Sequence, residues 1–490
     1  MPIRQSRELG LPPMDIWQKL KRQWDRLLFF VCFFFLSVVI AFGVGFFVAD
    51  RHKFPYFQIK LAVDSAICNY GLELSSLIFN EKYRKYPYVW VKTHEPKSGV
   101  VVNDPSGTYK GYTLIADGGT GASLIDMKGK VIHKWRKDFF DVWPLPDHVN
   151  LIDTNGKVLH PWHKPANFMW PQPLHVKPLM SSIPEDLIYW HKLFLFPNGD
   201  LIAIYTGPFT PYGAGIIKIN SRSELIWKAD INAHHDLTIA DDGRIFVLTH
   251  KYNYDYSRPR IDDYITVLSP EGMVLDEISI YNAIRESPYY NLIPGEPFDD
   301  YLHTNNIDLL TSDKVNGFPF LSGGDMLLSH RNSVCMTVVD ANTFKVKWAL
   351  TGVAGVVHDA DFLMDGKIAF FDNRAYLQGS AVVEWDCGLN KPIWEFTPAD
   401  YYYGFSQPLP SYDIFASGTG GAQQKLPNGN YLIVNTNCGS MFEATPEKKV
   451  VWKYVSTKKQ GNSIARLFFA ERYSEGYLTF LTPSDQAASE

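Results

Sequence analysis

From about residue 111 onward, short runs rich in Val, Ile, Leu, Phe and Tyr alternate with turn residues at close spacing. That pattern predicts strands joined by hairpins. Residues 353–376, VAGVVHDADFLMDGKIAFFDNRAY, give it most clearly. The runs DADFLM and KIAFF flank Asp365-Gly366, a dipeptide that favours a tight hairpin turn. His358 lies eight residues before Gly366 and Arg374 eight after it, so the hairpin is expected to return both to one rim.

The same phrase recurs. Turn glycines at 199, 243, 324, 366 and 429 each sit between two apolar runs, and an earlier unit spans residues 111–135 around Gly129. Five of the six units close on a tryptophan: Trp135, Trp227, Trp348, Trp394 and Trp452. Gly199 and Gly243 are 44 residues apart, and Gly324 and Gly366 are 42 apart, which suits a unit of four short strands. Such a sheet cannot bury both faces alone, so the units must stack, and stacking that closes on itself is a β-propeller. The reading is an all-β, six-bladed β-propeller of four-stranded blades over residues 111–475, with a tail at 476–490. Two insertions, near 278–302 and 398–416, and a Pro- and Trp-rich excursion at 137–190, read as loops that shape one face.

The N-terminal part has a different texture. Residues 27–49 form an uncharged, mostly apolar run long enough for a helix to cross a bilayer. It predicts one N-terminal transmembrane helix, preceded by a cytoplasmic segment at 1–26 and followed by a juxtamembrane region at 50–110. Basic residues are denser before the run (Arg4, Arg7, Lys19, Lys21, Arg22, Arg26) than after it, so the expected orientation is N-terminus inside and propeller outside, in a periplasm or its equivalent. Residues 11–26 could lie as an amphipathic helix at the inner interface. Aromatics make up 15% of the chain, which favours sheet. The formal charge of −5 and the lack of a basic cluster with interleaved aromatics exclude nucleic acid as an expected partner. Five cysteines show no disulfide spacing.

In a propeller the first strand of each blade lines the central channel. Counting eight residues back from the turn glycine places His191, His235, His358 and Gly421 at matched positions, and HTNNIDLL puts His303 at the start of the expanded fourth unit. Seven or eight residues past the glycine come Lys251, Arg331 and Arg374. The expected result is a channel mouth lined by histidines with arginine beside them, suited to an oxyanion. His234 and His235 are adjacent on a strand, so only one can face the channel. His235, His303 and His358 could supply three zinc ligands, or could simply pack around a watery channel; no metal and no cofactor is the preferred expectation.

The phrases HHDLTIADDG, HTNNIDLL, LLSHRNSVCMTVVDANTFKVKW, VVHDADFLMDGKIAFFDNR and GGAQQKLPNGNYLIVNTNCG, in that order over residues 110–475, resemble the phosphoadenosine-independent bacterial arylsulfotransferase family. The resemblance implies a six-bladed propeller that moves a sulfuryl group from an aryl sulfate to a phenol through a sulfated histidine. By that resemblance His358 is the nucleophile, and His235 and His303 hold sulfate oxygens and assist the phenolic oxygen. Arg331 binds sulfate and Asn305 takes a weaker polar role; Arg374 belongs to the chain's own frame, as a possible substrate contact. The anchor at 27–49 and the absence of the family's N-terminal β-domain depart from its pattern. They keep open a second reading, a non-catalytic propeller serving as scaffold or accessory subunit of a membrane protein assembly.

Overall fold

The computed structural model describes residues 90–92, 97–117, 121–136, 148–152, 158–163, 189–206, 213–253, 260–293, 295, 297, 300–374, 379–406, 414–461 and 463–481. The chain divides into Met1–Ile78 and Phe79–Glu490, and every described residue belongs to the second unit. The apolar run at 27–49 and the segment at 11–26 lie outside the described residues. Among the described residues no helix is long and apolar enough to cross a membrane.

Six antiparallel sheets make the six blades. Blades 2 to 5 each take four consecutive strands, beginning with Tyr189–Leu195, Ala233–Ile239, Thr304–Leu309 and Val357–Phe362. Blade 6 begins with Ala422–Lys425 and gains a fifth, outer strand from Gly99–Asn103, paired with Val450–Val455. Blade 1 is built from both ends of the propeller: Leu467–Tyr473 supplies its innermost strand and pairs with Tyr112–Asp117. The repeat in the sequence assigns this blade three strands; its fourth comes from more than 300 residues away and carries no turn signal tying it to the first.

The hairpin turns form where the glycines predicted them. At Asp365-Gly366 both residues have positive φ, 58° and 75°, which is the twist a two-residue hairpin needs. A Cβ on Gly366 would also meet the Gly317 carbonyl oxygen at 2.4 Å, so only glycine fits. The insertion at 278–302 forms a short helix, Ile280–Arg285, capped by Ser279. That at 398–416 forms Pro398–Tyr403, closed by a reciprocal Thr397–Asp400 capping box. Part of the 137–190 excursion pairs as a hairpin of His148–Ile152 with Val158–His163.

The core is distributed between blades. Buried apolar residues fall into six clusters, one for each neighbouring pair of blades in the ring. Leu478 and Leu481, beyond the closing strand, are buried between blades 1 and 2. Four of the repeated tryptophans tie their blade to the next. The indole N–H of Trp135 donates to Gly199 O, Trp227 to Pro270 O, Trp394 to Pro446 O and Trp452 to Met127 O, at 2.9–3.1 Å. Each pair joins the outer strand of one blade to a turn of the next.

Nearer the axis, side chains on one inner strand accept main-chain N–H groups of the following one. Asp236 takes Ile307 N–H, Asn306 takes Ala360 N–H, Asp308 takes Phe362 N–H, Asp359 takes Gln423 N–H and Gln424 takes Arg472 N–H. Buried main-chain donors without partners are costly, and here the neighbouring blade supplies the acceptor. Among the described residues Cys335, Cys387 and Cys438 are free thiols.

Candidate functional site at the channel mouth

In five of the six innermost strands the pairing register slips at residues that meet the channel: between Leu467 and Phe469, Trp190 and Leu193, Ala233 and Leu237, Thr304 and Asn306, and His358 and Asp361. His235, His303 and Asp359 adopt positive φ of 55°, 51° and 47° there. Bulges of this kind re-aim a side chain away from the ladder. The result is a cavity of about 220 Å³ whose lining includes His191, His235, His303, Asn305, Arg331 and His358. Gly421, the fourth member of the eight-residue frame, lines it too.

The imidazoles form a chain. Ring centroids of His191 and His235 are 4.9 Å apart, as are those of His235 and His303. His191 Nδ1 donates to His235 O at 2.9 Å, because a carbonyl can only accept. His303 Nδ1 lies 2.5 Å from the carboxylate of Asp300. Burial alone would raise the Asp300 carboxyl, but His303 outweighs it and holds it below its usual range, so a carboxylate faces the ring. An acid–imidazole pair of this geometry fixes the proton on Nδ1 and supports a charge on the ring.

His358 is set differently. Its Nδ1 lies 2.5 Å from Asn373 Oδ1. The Asn373 amide nitrogen donates to Ser417 O and Gly420 O, so its oxygen must face the imidazole and Nδ1 must carry the hydrogen. Nε2 is left as the basic nitrogen. Burial, then the neighbouring His303 and Arg331, lower the His358 pKa to about 3 against the help of Asn373. The ring is therefore neutral at pH 7, the state in which it can attack. Burial likewise brings His191 to about 4 and His235 well below its usual value.

Below the histidines the channel carries charge. Lys192 Nζ is 2.9 Å from Asp236 and lies over the Phe469 ring. Burial opposes its charge, but Asp236, Asp359 and Asp361 raise its pKa above the ordinary lysine value. Asp359 is pushed up to about 7 by burial, against the pull of Lys192. Phe468 and Phe469, from the closing strand, supply an apolar wall.

Two residues of the expected rim lie elsewhere. Arg374 pairs with Asp372 and with Glu395 of the outer strand and does not line the cavity. The hairpin does return its far end to His358, but it is Asn373, one residue earlier and so on the other face, that meets it. Lys251 pairs with Glu277, also on an outer strand, at 2.7 Å. Asn305 lines the cavity, yet its amide is engaged: Nδ2 donates to Val357 O and Oδ1 accepts from Ser329. It braces the strand start beside His358. Sequence reasoning missed Asp300, Asn373, Lys192 and the two phenylalanines. Asp300 stands three residues before His303 and Asn373 ends the opening hairpin, so both were within reach of a search for partners of the histidines.

A six-bladed propeller with an imidazole-lined channel mouth is thus the class the fold and cavity define. The profile of the arylsulfotransferase (ASST) family matches residues 192–457, and the chain belongs to that family. No curated protein sequence matches it. Among solved structures the chain is similar to a protein of unknown function from Bacteroides caccae (12% identity, TM-score 0.41, 74% of this chain and 98% of that one). It is also similar to the Pan2 WD40 domain of Neurospora crassa (11%, 0.35, 76% and 87%) and to virginiamycin B lyase from Staphylococcus aureus (12%, 0.32, 55% and 70%).

Proposed function

We propose that the chain transfers a sulfuryl group from an aryl sulfate to a phenol, with His358 as the nucleophile. The observation that carries this reading is the His358–Asn373 bond, which leaves a neutral imidazole with its basic Nε2 beside Arg331, His235 and His303 in one cavity. His358 Nε2 attacks sulfur as the sulfur–phenolate oxygen bond breaks, and the leaving oxygen takes a proton from His303. Arg331 and His235 stabilise the charge on the sulfuryl oxygens. A second phenol then gives its proton to His303, its oxygen attacks sulfur, and the sulfur–nitrogen bond breaks to restore His358. Asp300 supports the positive ring of His303 before the first half and after the second, and the ring is neutral between them. This chemistry uses no metal and no cofactor. The wall formed by Phe468 and Phe469 suits the aryl groups. The uncharged run at 27–49 supports a single-pass anchor with the propeller outside the cytoplasm.

The test is incubation of the purified chain with a chromogenic aryl sulfate and a phenol, beside His358→Ala. Turnover that depends on His358, with a sulfuryl adduct found on that residue by peptide mass spectrometry, is expected. Undiminished turnover in the variant would overturn the assignment of the nucleophile. Neither turnover nor adduct in the wild type would favour the scaffold reading.

A further inference from the structure

Behind His235, away from the cavity, lies a second constellation that sulfuryl transfer does not use. His234 and His250 come from adjacent strands of blade 3 and Asp263 from the third. All three are buried, with 2–3% of their surface exposed. The rings of His234 and His250 stack at a centroid distance of 4.7 Å and an angle of 20°. One donor atom from each of the three residues lies within 4.8 Å of the other two. His234 Nε2 faces Asp263 Oδ1 at 3.8 Å, too far for a hydrogen bond, and has no hydrogen-bond partner. The other Asp263 oxygen accepts Thr304 N–H at 2.7 Å, which fixes the carboxylate's orientation.

We propose that His234, His250 and Asp263 bind a divalent transition-metal ion, with zinc the ion they fit best. Two imidazoles and one carboxylate make a common zinc ligand set, with a water or a further oxygen completing four. Three atoms no more than 4.8 Å apart lie at most about 2.8 Å from a common centre. Each therefore has at most about 0.7 Å to travel to reach a zinc–nitrogen bond length of roughly 2.1 Å, within what side-chain rotation supplies.

The ion would also set a proton. Its bond to His234 Nε2 leaves the hydrogen on Nδ1, which lies 2.9 Å from His235 Nδ1. His235 Nδ1 then accepts, and its own hydrogen sits on Nε2. The site is distinct from the four channel-lining histidines and does not depend on the reaction proposed there.

Full-length protein produced with zinc as the only added metal, then dialysed and analysed by mass spectrometry of the element, is expected to hold about one zinc per chain. His250→Gln and Asp263→Asn should hold less than about a tenth of that, whereas His358→Ala keeps it. Wild type without zinc, or both variants with the wild-type content, would overturn the proposal. Should the variants fail to fold, cobalt-grown wild type gives the answer alone: intense visible d–d absorption marks a four-coordinate buried site, and its absence rejects one.

Discussion

Asn373 Oδ1 accepts the Nδ1–H of His358, and both donors of the same amide are held by the carbonyls of Ser417 and Gly420. One side chain thereby ties the tautomer of the candidate nucleophile to the loop after the 398–416 insertion. Replacing it with alanine leaves the imidazole free to turn or to move its proton. Asn373→Ala is expected to lower kcat by about 5- to 150-fold, the equivalent of losing one buried hydrogen bond, with little change in KM. An unchanged kcat would show that the bond does not orient the nucleophile.

Asp300 holds His303 as Asn373 holds His358, but with a charge. Asp300→Asn keeps the shape and removes the support for a protonated ring. The expected outcome is a fall in turnover of about 10²–10⁴-fold. The effect should be largest with donors whose leaving phenols are weakly acidic, since those need the proton most. Equal losses across a series of leaving groups would assign Asp300 a purely structural role.

His330 offers a clean titration inside the fold. It is fully buried between the hydroxyls of Thr304 and Thr337, and burial lowers its pKa from 6.5 to about 3. Between those values the unfolded chain binds a proton that the folded chain does not. The stabilisation is therefore complete above pH 6.5 and declines as pH falls. His330→Gln removes the titration. The advantage of wild type over this variant should shrink by about 2 kcal/mol between pH 7 and pH 5, read from urea midpoints at the two values. A constant difference would show that the ring takes up its proton in the folded chain as it does in the unfolded one.

Ring closure depends on a buried ion pair. Arg472, on the closing strand, meets Glu443 of blade 6 at 3.1 Å, with both side chains wholly buried. The guanidinium also bonds Thr113 and Tyr109 O. Removing one partner strands the other's charge, so Glu443→Ala is expected to cost about 3–5 kcal/mol. Limited proteolysis should then cut near the C-terminus first. Cleavage elsewhere with the C-terminal strand protected would place the weak point at another blade.

The repeat, its turns and the histidine frame were legible because each depends on local spacing. A hairpin of fixed length returns a fixed residue to the rim, so His191, His235, His358 and Gly421 all reach one cavity. The same counting failed for Arg374 and Lys251. Strand parity turns a side chain outward on one residue's shift, and Glu395 and Glu277 wait there on the outer strands. The innermost strand of blade 1 was not legible, because its pairing spans nearly the whole propeller. Asp300 and Asn373 went unread for another reason. One stands three residues before its histidine and the other across the same hairpin, and counting from the turn glycine picks out the ring without the side chain beside it.

Phe468 and Phe469 lie on the closing strand, so the last strand of the propeller to be synthesised is also a wall of the cavity. A nascent or truncated chain would carry His235, His303 and His358 without an enclosed chamber around them. The chamber is thereby completed only when residues 467–473 close the toroid, so ring closure and cavity formation are one event.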